Sequence, residues 1–351
     1  MTERNPGRRR FVLNLREARP IWSIPDWAVE EIRAALPADW DFVAVDEPVD
    51  GRGDGGGDSP GARAALQAVP GAEVYVGFGV PPALFEAAGG RLRWAHSASA
   101  GVGGSLHRAM TESNVVLTNS AGIYAEPMAE TVMAMVMFFA RGLDFAVRAQ
   151  AERRWDKAPF DRAGSPVREL AECTLGIVGL GGVGRAVARR AAALGMRVIA
   201  TRRRGTDAPE GVELLRGDDA LERLLARSDF LVLAVPQTGE TQGLIGAREL
   251  ALLPRGATVV NVARGGVVDE DALVEALRSG ALRGAGLDVF AREPLPPESP
   301  LWSLPNVLAT PHVSGASHLF WRRQTGLIRE NLSRYLAGQA LLNTVDKHAG
   351  Y

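Results

Sequence analysis

The stretch from Thr174 to Ala188, TLGIVGLGGVGRAVA, constrains the fold more than any other part of this chain. It begins with a short apolar run, which is typical of a buried strand in a parallel sheet. Gly179, Gly181 and Gly184 then follow in the spacing Gly-x-Gly-x-x-Gly. In such a turn the glycines allow a tight bend, a close approach of the backbone to a pyrophosphate and close packing of helix on strand. The spacing therefore indicates a dinucleotide-binding turn between a strand and a helix.

The residues after this turn supply the rest of a βαβ unit. An amphipathic helical pattern over 183–194 stops at Gly195, and a second apolar strand over 197–201 follows. The N–H groups and the positive dipole end of that helix would face the phosphates. Glycine-rich turns of this spacing also occur in other proteins. The βαβ unit around the turn therefore favours a dinucleotide-binding site over an unrelated glycine-rich turn.

Composition predicts a soluble protein of two domains. A chain of 351 residues is long for one core, and its net charge of −1 gives no general attraction to nucleic acid or to a membrane surface. The single cysteine, Cys173, excludes an intramolecular disulfide and a multi-cysteine metal site, which suits a reducing compartment. The basic segment 8–10 is not followed by an apolar export-signal region. We therefore expect a cytoplasmic protein with no metal site.

Strands and helices alternate along the chain, which predicts an α/β fold of two similar units. We expect one unit to comprise 1–125 with 316–351, and the other 126–315. The glycine-rich residues 50–61 are interpreted as a flexible insertion rather than a phosphate loop. Pro127 suits the first turn of a long helix that is apolar nearly all round, so that helix should be buried between elements or at a subunit interface. The predicted strands are 11–15, 40–46, 73–76, 92–96, 115–118, 174–178, 197–201, 230–235, 258–262, 284–290 and 306–310.

Three side chains in the second unit, Arg264, Glu293 and His312, follow the ends of predicted strands. Histidine suits acid–base work near neutral pH, a carboxylate orients an imidazole, and arginine binds an anionic substrate bidentately. Each residue also has a purely structural interpretation. His312 follows a proline in a loop, Arg264 can pair with Asp269 or Glu270, and Glu293 lies in a proline-rich turn.

A second small-residue loop, 97–104, ends a predicted strand in the first unit. Ligands bind at the carboxyl ends of strands in open α/β sheets, so the bare amides of this loop can hold a carboxylate. An ordinary tight turn is an equal alternative. We interpret His96, at the end of the same strand, as a packed residue rather than a residue of a substrate pocket.

Several ordered motifs together resemble the D-2-hydroxyacid dehydrogenases. The motifs are 174–204, NVARGGVVDE at 261–270, GLDVF at 286–290 with Glu293-Pro294, Leu301-Trp302, TPHVSG at 310–315 and, more loosely, Ser99–Val102. The resemblance implies two Rossmann-like domains: a flavodoxin-like substrate domain at 1–125 plus 316–351, and a doubly wound dinucleotide-binding domain at 126–315. It also implies a homodimer, with the long helix after Pro127 near the interface.

The resemblance further implies an NAD(P)-dependent reductase of small 2-oxoacids such as glyoxylate or hydroxypyruvate. Arg264 would hold the substrate's carboxylate and carbonyl, His312 would donate the proton, and Glu293 would pair with His312. The backbone amides of Ala100 and Gly101 would bind the carboxylate, and Asp288 would contact the nicotinamide carboxamide. The implied cofactor-binding residues are Gly179, Gly181, Gly182, Val183, Gly184, Arg202, Arg203, Val235, Pro236, Ala263, Asp288 and Gly315.

The chain departs from the pattern of the family in two places. Arg202-Arg203-Arg204 stands where NAD-preferring members carry an acid that binds the ribose 2′-hydroxyl. Arginines pair with a 2′-phosphate, so we predict a preference for NADP(H). A solvated basic turn that also accepts NAD(H) is the alternative. Gly103 stands where many relatives have an acid, which leaves the detailed substrate open.

Other functions remain as alternatives to a 2-oxoacid reductase. They are a cofactor-sensing, corepressor-like binding protein and a phosphite dehydrogenase-like enzyme. A formate dehydrogenase is disfavoured, because that branch of the family lacks the glutamate partner of its histidine.

Overall fold

The structure is a computed structural model that describes residues 8–50, 57–203 and 205–350. Over these residues the backbone forms two parallel sheets covered by helices. The strands are β1 (Arg10–Asn14), β2 (Asp41–Ala44), β3 (Val74–Gly77), β4 (Trp94–Ser97), β5 (Val116–Asn119), β6 (Thr174–Val178), β7 (Arg197–Thr201), β8 (Val212–Leu215), β9 (Phe230–Leu233), β10 (Ala257–Asn261), β11 (Leu282–Leu287) and β12 (Val307–Ala309). The helices are α1 (Asp26–Ala34), α2 (Pro60–Ala68), α3 (Pro82–Ala87), α4 (Arg108–Thr111), α5 (Ala125–Ala140), α6 (Leu143–Ala151), α7 (Ala158–Asp161), α8 (Gly182–Ala193), α9 (Ala220–Leu225), α10 (Ala247–Ala251), α11 (Glu270–Arg278) and α12 (Phe320–Leu336).

The first compact unit comprises 1–124 and 316–351, and its sheet has the strand order β2-β1-β3-β4-β5. This is the flavodoxin-like order. Successive side chains of a strand point to opposite faces. Phe11 and Leu13 therefore pack in one core cluster with residues of α1 and α12, whereas Val12 packs in a second cluster with residues of α2 and α3. Because both faces are covered, the inner strands β1, β3 and β4 are almost entirely buried.

The second unit comprises 125–315, and its sheet has the order β12-β11-β10-β9-β6-β7-β8. The chain moves outward from β6 through β7 to β8, and then crosses to β9 on the other side of β6. The order therefore reverses between β6 and β9, which is the point where doubly wound folds bind dinucleotides. The predicted fold class, two Rossmann-like α/β domains, is confirmed.

The apolar helix α5 packs against the sheet and α8 in the second unit. Only Glu130 and Ala134 of this helix are exposed. Two glycines in β11 make room for it: a Cβ on Gly286 would lie 2.8 Å from the sulfur of Met135, and one on Gly284 would meet Phe139 at 2.6 Å. Of the two predicted placements, between elements or at a subunit interface, the structure shows burial between elements.

Some predicted boundaries were wrong. The predicted insertion 50–61 includes Pro60 and Gly61, which begin α2; residues 51–56 lie outside the described residues. Gly61 is needed there because a Cβ would lie 2.5 Å from the carbonyl oxygen of Glu47. Strand β11 ends at Leu287 instead of 290, because the chain turns away to form the loop of Glu293. The elements α4, α6, α7, α9, α10 and β8 were not predicted.

Cys173 is fully buried, as predicted for a small core residue. Along the described ranges, no helix has both the length and the apolar character needed to cross a membrane. In the same part of the chain, no three His, Cys, Asp or Glu side chains are grouped so that they could hold a metal ion.

Candidate active site

The glycine turn between β6 and α8 has the geometry that a dinucleotide requires. Gly179 has a φ of +99°, and a Cβ there would lie 2.7 Å from the carbonyl oxygen of Ala234. A Cβ on Gly184 would lie 2.1 Å from the carbonyl oxygen of Gly179, so only glycine lets the helix pack this closely. Gly181, which precedes the first helical residue Gly182, has open space where a Cβ would be. The turn therefore leaves its backbone accessible to a pyrophosphate at the positive end of α8.

The other predicted cofactor residues also lie at strand ends of this sheet. Val235 and Pro236 follow β9; Val235 is half-buried and Pro236 is exposed. Ala263 follows β10 and is buried, and its N–H donates to the Oδ1 of Asn261 at 3.0 Å. Gly315 is half-buried at the end of the unit. Contacts of these residues and of Val183 with a cofactor stay predictions.

Arginines follow β7, the strand whose carboxyl end lies beside the glycine turn. Arg202 forms an ion pair with Asp207 at 2.6 Å, and Arg203 forms one with Glu240 at 2.8 Å. Arg204 lies outside the described residues. The guanidinium groups of Arg202 and Arg203 are thus held by carboxylates near the place where a dinucleotide's ribose is expected.

The structure brings two of the three predicted catalytic side chains into direct contact. The Nδ1 of His312 lies 2.7 Å from the Oε2 of Glu293. The other carboxylate oxygen of Glu293 accepts a hydrogen bond from the N–H of Phe290 at 3.0 Å, which fixes its orientation. The side chain of His312 is 47% exposed, and its Nε2 has no hydrogen-bond partner among the described residues. This nitrogen is available to a substrate.

The carboxylate of Asp288 holds the loop that carries His312. It accepts hydrogen bonds from the hydroxyl of Thr310 at 2.6 Å, the N–H of Val313 at 2.9 Å and the N–H of Ser314 at 3.0 Å. These donors flank His312, whose φ of +55° lies in the left-handed region. Asp288 is fully buried. Its predicted contact with a nicotinamide carboxamide stays a prediction, and the structure shows a positioning role that the sequence did not reveal.

Arg264 lies on the neighbouring loop, three residues after β10. The buried Asn261 holds this loop: its Nδ2 donates to the carbonyl oxygen of Arg264 at 3.1 Å, and its Oδ1 accepts from Ala263. A Cβ on Gly265 would lie 1.9 Å from the carbonyl carbon and oxygen of Phe290. The loop of Arg264 therefore packs directly on the loop that leads to Glu293. Asn261 and Gly265 were not identified from the sequence, although asparagine at a strand end is a common turn signal.

The small-residue loop of the first unit is exposed at Ala100 and Gly101. Their N–H groups donate to no other described residue, whereas the carbonyl oxygen of Ala100 accepts from the Nδ2 of Asn119 at 2.8 Å. Asn119 thus holds the loop while these two amides stay free. Free adjacent amides suit an anion such as a carboxylate.

His96 is a packed histidine, as predicted. It is fully buried, and its ring nitrogens lie 2.8 Å from the hydroxyl of Thr118 and 3.0 Å from the Nε2 of Gln324. Burial lowers the pKa of His96 to about 3. The ring is therefore neutral at physiological pH, and it is a structural part of the core of the first unit.

Comparison with known proteins agrees with this geometry. The family model described as D-isomer specific 2-hydroxyacid dehydrogenase, NAD binding domain, matches residues 133–314. A glyoxylate reductase from Korarchaeum cryptofilum is 40% identical over 242 residues, which are 68% of this chain and 71% of the relative. A glyoxylate/hydroxypyruvate reductase B from Pectobacterium carotovorum is 40% identical over 258 residues, 73% of this chain and 79% of the relative.

Solved structures extend the similarity over almost the whole chain. A D-isomer specific 2-hydroxyacid dehydrogenase from Xanthobacter autotrophicus Py2, solved with NADPH and MES, has a TM-score of 0.78 and 34% identity, covering 98% of this chain and 100% of its own. The NADPH-dependent glyoxylate/hydroxypyruvate reductase of Sinorhizobium meliloti, solved with NADP and sulfate, has a TM-score of 0.78 and 30% identity with the same coverage.

The chain belongs to the D-isomer-specific 2-hydroxyacid dehydrogenase family. It is an NAD(P)-dependent oxidoreductase, and its relatives support the reduction of 2-oxoacids.

Two glycine variants separate packing from cofactor binding in the turn. Gly184→Ala should lower the free energy of unfolding by about 1–3 kcal/mol, because the added methyl group meets a backbone carbonyl. Gly181→Ala has open space and an extended backbone, so its stability should stay within about 0.5 kcal/mol of wild type. Urea unfolding measures both values, and titration with NADP⁺ should show weaker binding for Gly181→Ala. Equal stability losses in the two variants would contradict this assignment.

Proposed function

We propose that this protein reduces a small 2-oxoacid to the D-2-hydroxyacid with NADPH. The observation that carries the proposal is the 2.7 Å contact between His312 and Glu293 at the sheet edge that also bears Arg264. The strands β10, β11 and β12, which lead to Arg264, Glu293 and His312, are neighbours in the sheet. Their carboxyl ends therefore present a cation, a carboxylate and an imidazole at one edge.

The three side chains have complementary roles in carbonyl reduction. When bound, the dinucleotide supplies the hydride. Glu293 accepts the Nδ1–H of His312, which leaves Nε2 to donate a proton to the substrate's carbonyl oxygen. Arg264 pairs with the substrate's carboxylate and polarises the adjacent carbonyl. In the reverse direction the same imidazole accepts the proton.

The free N–H groups of Ala100 and Gly101 support the choice of substrate. We propose that they hold the carboxylate of a 2-oxoacid, because two exposed adjacent amides match an anion and no side chain occupies them. The curated relatives named glyoxylate or glyoxylate/hydroxypyruvate reductase act on small acids of this kind. Glyoxylate and hydroxypyruvate are therefore the first substrates to assay.

Loss of the imidazole should remove most turnover without loss of the cofactor. His312→Ala should lower kcat by about 100- to 10,000-fold, since a positioned general acid contributes that much. Glu293→Gln should retain more activity than His312→Ala, because it keeps a hydrogen-bonding side chain beside the ring. A panel of 2-oxoacids, followed by NADPH oxidation, measures this effect, and NADP⁺ titration checks that binding persists. Wild-type turnover by His312→Ala would refute the assignment.

We further propose a preference for NADP(H) over NAD(H). Arg202 and Arg203 follow β7, and an arginine pairs with a 2′-phosphate where an acid would repel it. The related structures solved with NADPH or NADP support this choice. We expect kcat/KM to be about tenfold or more higher with NADPH than with NADH, on the scale of charge-assisted hydrogen bonds. Steady-state kinetics with both cofactors measures this ratio, and a higher kcat/KM with NADH would contradict the proposed preference.

We propose that the protein is a homodimer. Its second unit exposes Leu143, Val147 and Trp155, with Trp155 92% exposed. Large apolar side chains exposed close together along the chain are typical of an interaction surface. We expect the purified protein to sediment as a dimer, and Trp155→Glu to shift it toward the monomer. A monomeric wild type at micromolar concentration would contradict this proposal.

A further inference from the structure

We propose that Asp207 is a built-in competitor for the 2′-phosphate of NADP(H), and that Arg185 is a further residue of the 2′-phosphate site. The carboxylate of Asp207 forms ion pairs with the guanidinium groups of Arg202 and Arg185. On binding, the 2′-phosphate would take the place of this carboxylate. Asp207 would thereby set how strongly the enzyme prefers NADP(H) to NAD(H). This inference rests on the cofactor preference proposed above.

Two arginines from different elements converge on this one aspartate. The Nη1 of Arg202, after β7, donates to Oδ1 of Asp207 at 2.6 Å and to its backbone oxygen at 2.8 Å. The Nη2 of Arg185, in the first turn of α8, donates to Oδ2 at 2.5 Å and to the same backbone oxygen at 2.9 Å. One residue thus supplies anionic oxygens to both guanidinium groups. A phosphate presents a similar set of oxygens with more charge.

The position of Arg185 itself points to an anion. A cation in the first turn of a helix opposes the helix dipole, which favours negative charge there. Arg185 nevertheless stands directly after Gly184 and reaches across to the end of β7, where Arg202 begins. An anion between the two arginines removes this conflict. Asp207 provides that anion within the chain, and a 2′-phosphate would provide a stronger one.

Gly205, two residues before Asp207 in the chain, lies close to the guanidinium of Arg202. Gly205 has a φ of +84°, and its carbonyl oxygen accepts from the Nη2 of Arg216 at 2.7 Å. A Cβ on Gly205 would lie 2.9 Å from Nη2 of Arg202, so glycine leaves the guanidinium in place. The pair of Arg203 with Glu240 is separate and does not involve Asp207.

The ion pairs of Asp207 with the two arginines form within the chain, and a ligand phosphate can replace them. The pKa of the Asp207 carboxyl is lowered by a hydrogen bond within its own residue and by Arg185, so the group is charged at neutral pH. Its side chain is 72% exposed, and exposed ion pairs contribute little to stability. A ligand phosphate can therefore displace the carboxylate at little cost in stability. NAD(H), which has no 2′-phosphate, leaves the pair intact.

The test is the affinity for both dinucleotides, which needs no turnover. Asp207→Asn keeps the size of the side chain and removes its charge. We expect its Kd for NADP⁺ to fall about three- to tenfold, with the Kd for NAD⁺ within about twofold of wild type. The same gain should appear with adenosine 2′,5′-bisphosphate and not with 5′-AMP. Glu213→Gln, which removes a carboxylate paired with Arg227 in the same unit, is the matched control and should change neither Kd.

A double-mutant cycle assigns the effect to the arginine pair. Arg185→Gln should weaken NADP⁺ binding about tenfold and leave NAD⁺ binding within about twofold. In the double variant, the gain from Asp207→Asn should shrink, because the two residues act through one contact. Unchanged or weaker NADP⁺ binding by Asp207→Asn would overturn the competitor role and would identify Asp207 as a support for the arginines.

The result also separates this inference from the proposed cofactor preference. A wild type that prefers NAD⁺, with no gain for NADP⁺ in Asp207→Asn, overturns both. A wild type that prefers NADP⁺ and shows no gain in Asp207→Asn overturns the role of Asp207 alone. A wild type with little preference that turns into an NADP⁺-selective binder on Asp207→Asn supports the competitor role most directly.

Discussion

Three hydrogen bonds to the buried carboxylate of Asp288 hold the loop on which the proposed chemistry depends. They come from Thr310, Val313 and Ser314, which flank His312 on both sides. The left-handed backbone of His312 is costly for a residue with a Cβ, and such conformations persist where the surroundings over-determine them. Asp288 supplies that constraint from the end of β11. The imidazole is then placed where Glu293 can orient it.

Two sets of functional groups lie along the same edge of the sheet in the second unit. At one end, the glycine turn after β6 and the arginines after β7 provide the groups that suit a dinucleotide's phosphates. At the other end, the loops after β10, β11 and β12 carry Arg264, Glu293 and His312. The reversal of strand order between β6 and β9 lies between these two groups. The fold thus places the groups proposed to bind phosphate and the groups proposed to act on the substrate at separate stretches of one sheet edge.

Much of this arrangement could be predicted from the sequence, because its signals are local. The glycine turn is a matter of spacing within a few residues, and buried parallel strands are recognisable as short apolar runs. Strand β8 was missed because it is a short edge strand in which the exposed Glu213 interrupts the apolar pattern. Its side chains face solvent as well as the core.

The contacts that refine the site are not local, and so they could not be predicted. Gly265 matters because it touches Phe290, which lies on the next loop in space. Asp207 matters because it meets Arg185, a residue 22 positions earlier in the chain. The triple run beginning at Arg202 predicted arginines that pair with a 2′-phosphate, and the structure shows Arg202 and Arg203 each already paired with an acid of the chain. The sequence shows which side chains are charged, but it does not show which of them form ion pairs with one another.

The central claim is tested most directly by the stereochemistry of the product. The purified protein is incubated with NADPH and hydroxypyruvate, and the product is resolved by chiral chromatography. We predict D-glycerate in amounts equal to the NADPH consumed, formed at least about 100-fold more slowly with His312→Ala. An L-product, or NADPH bound without any 2-hydroxyacid formed from either hydroxypyruvate or glyoxylate, would contradict the proposed function.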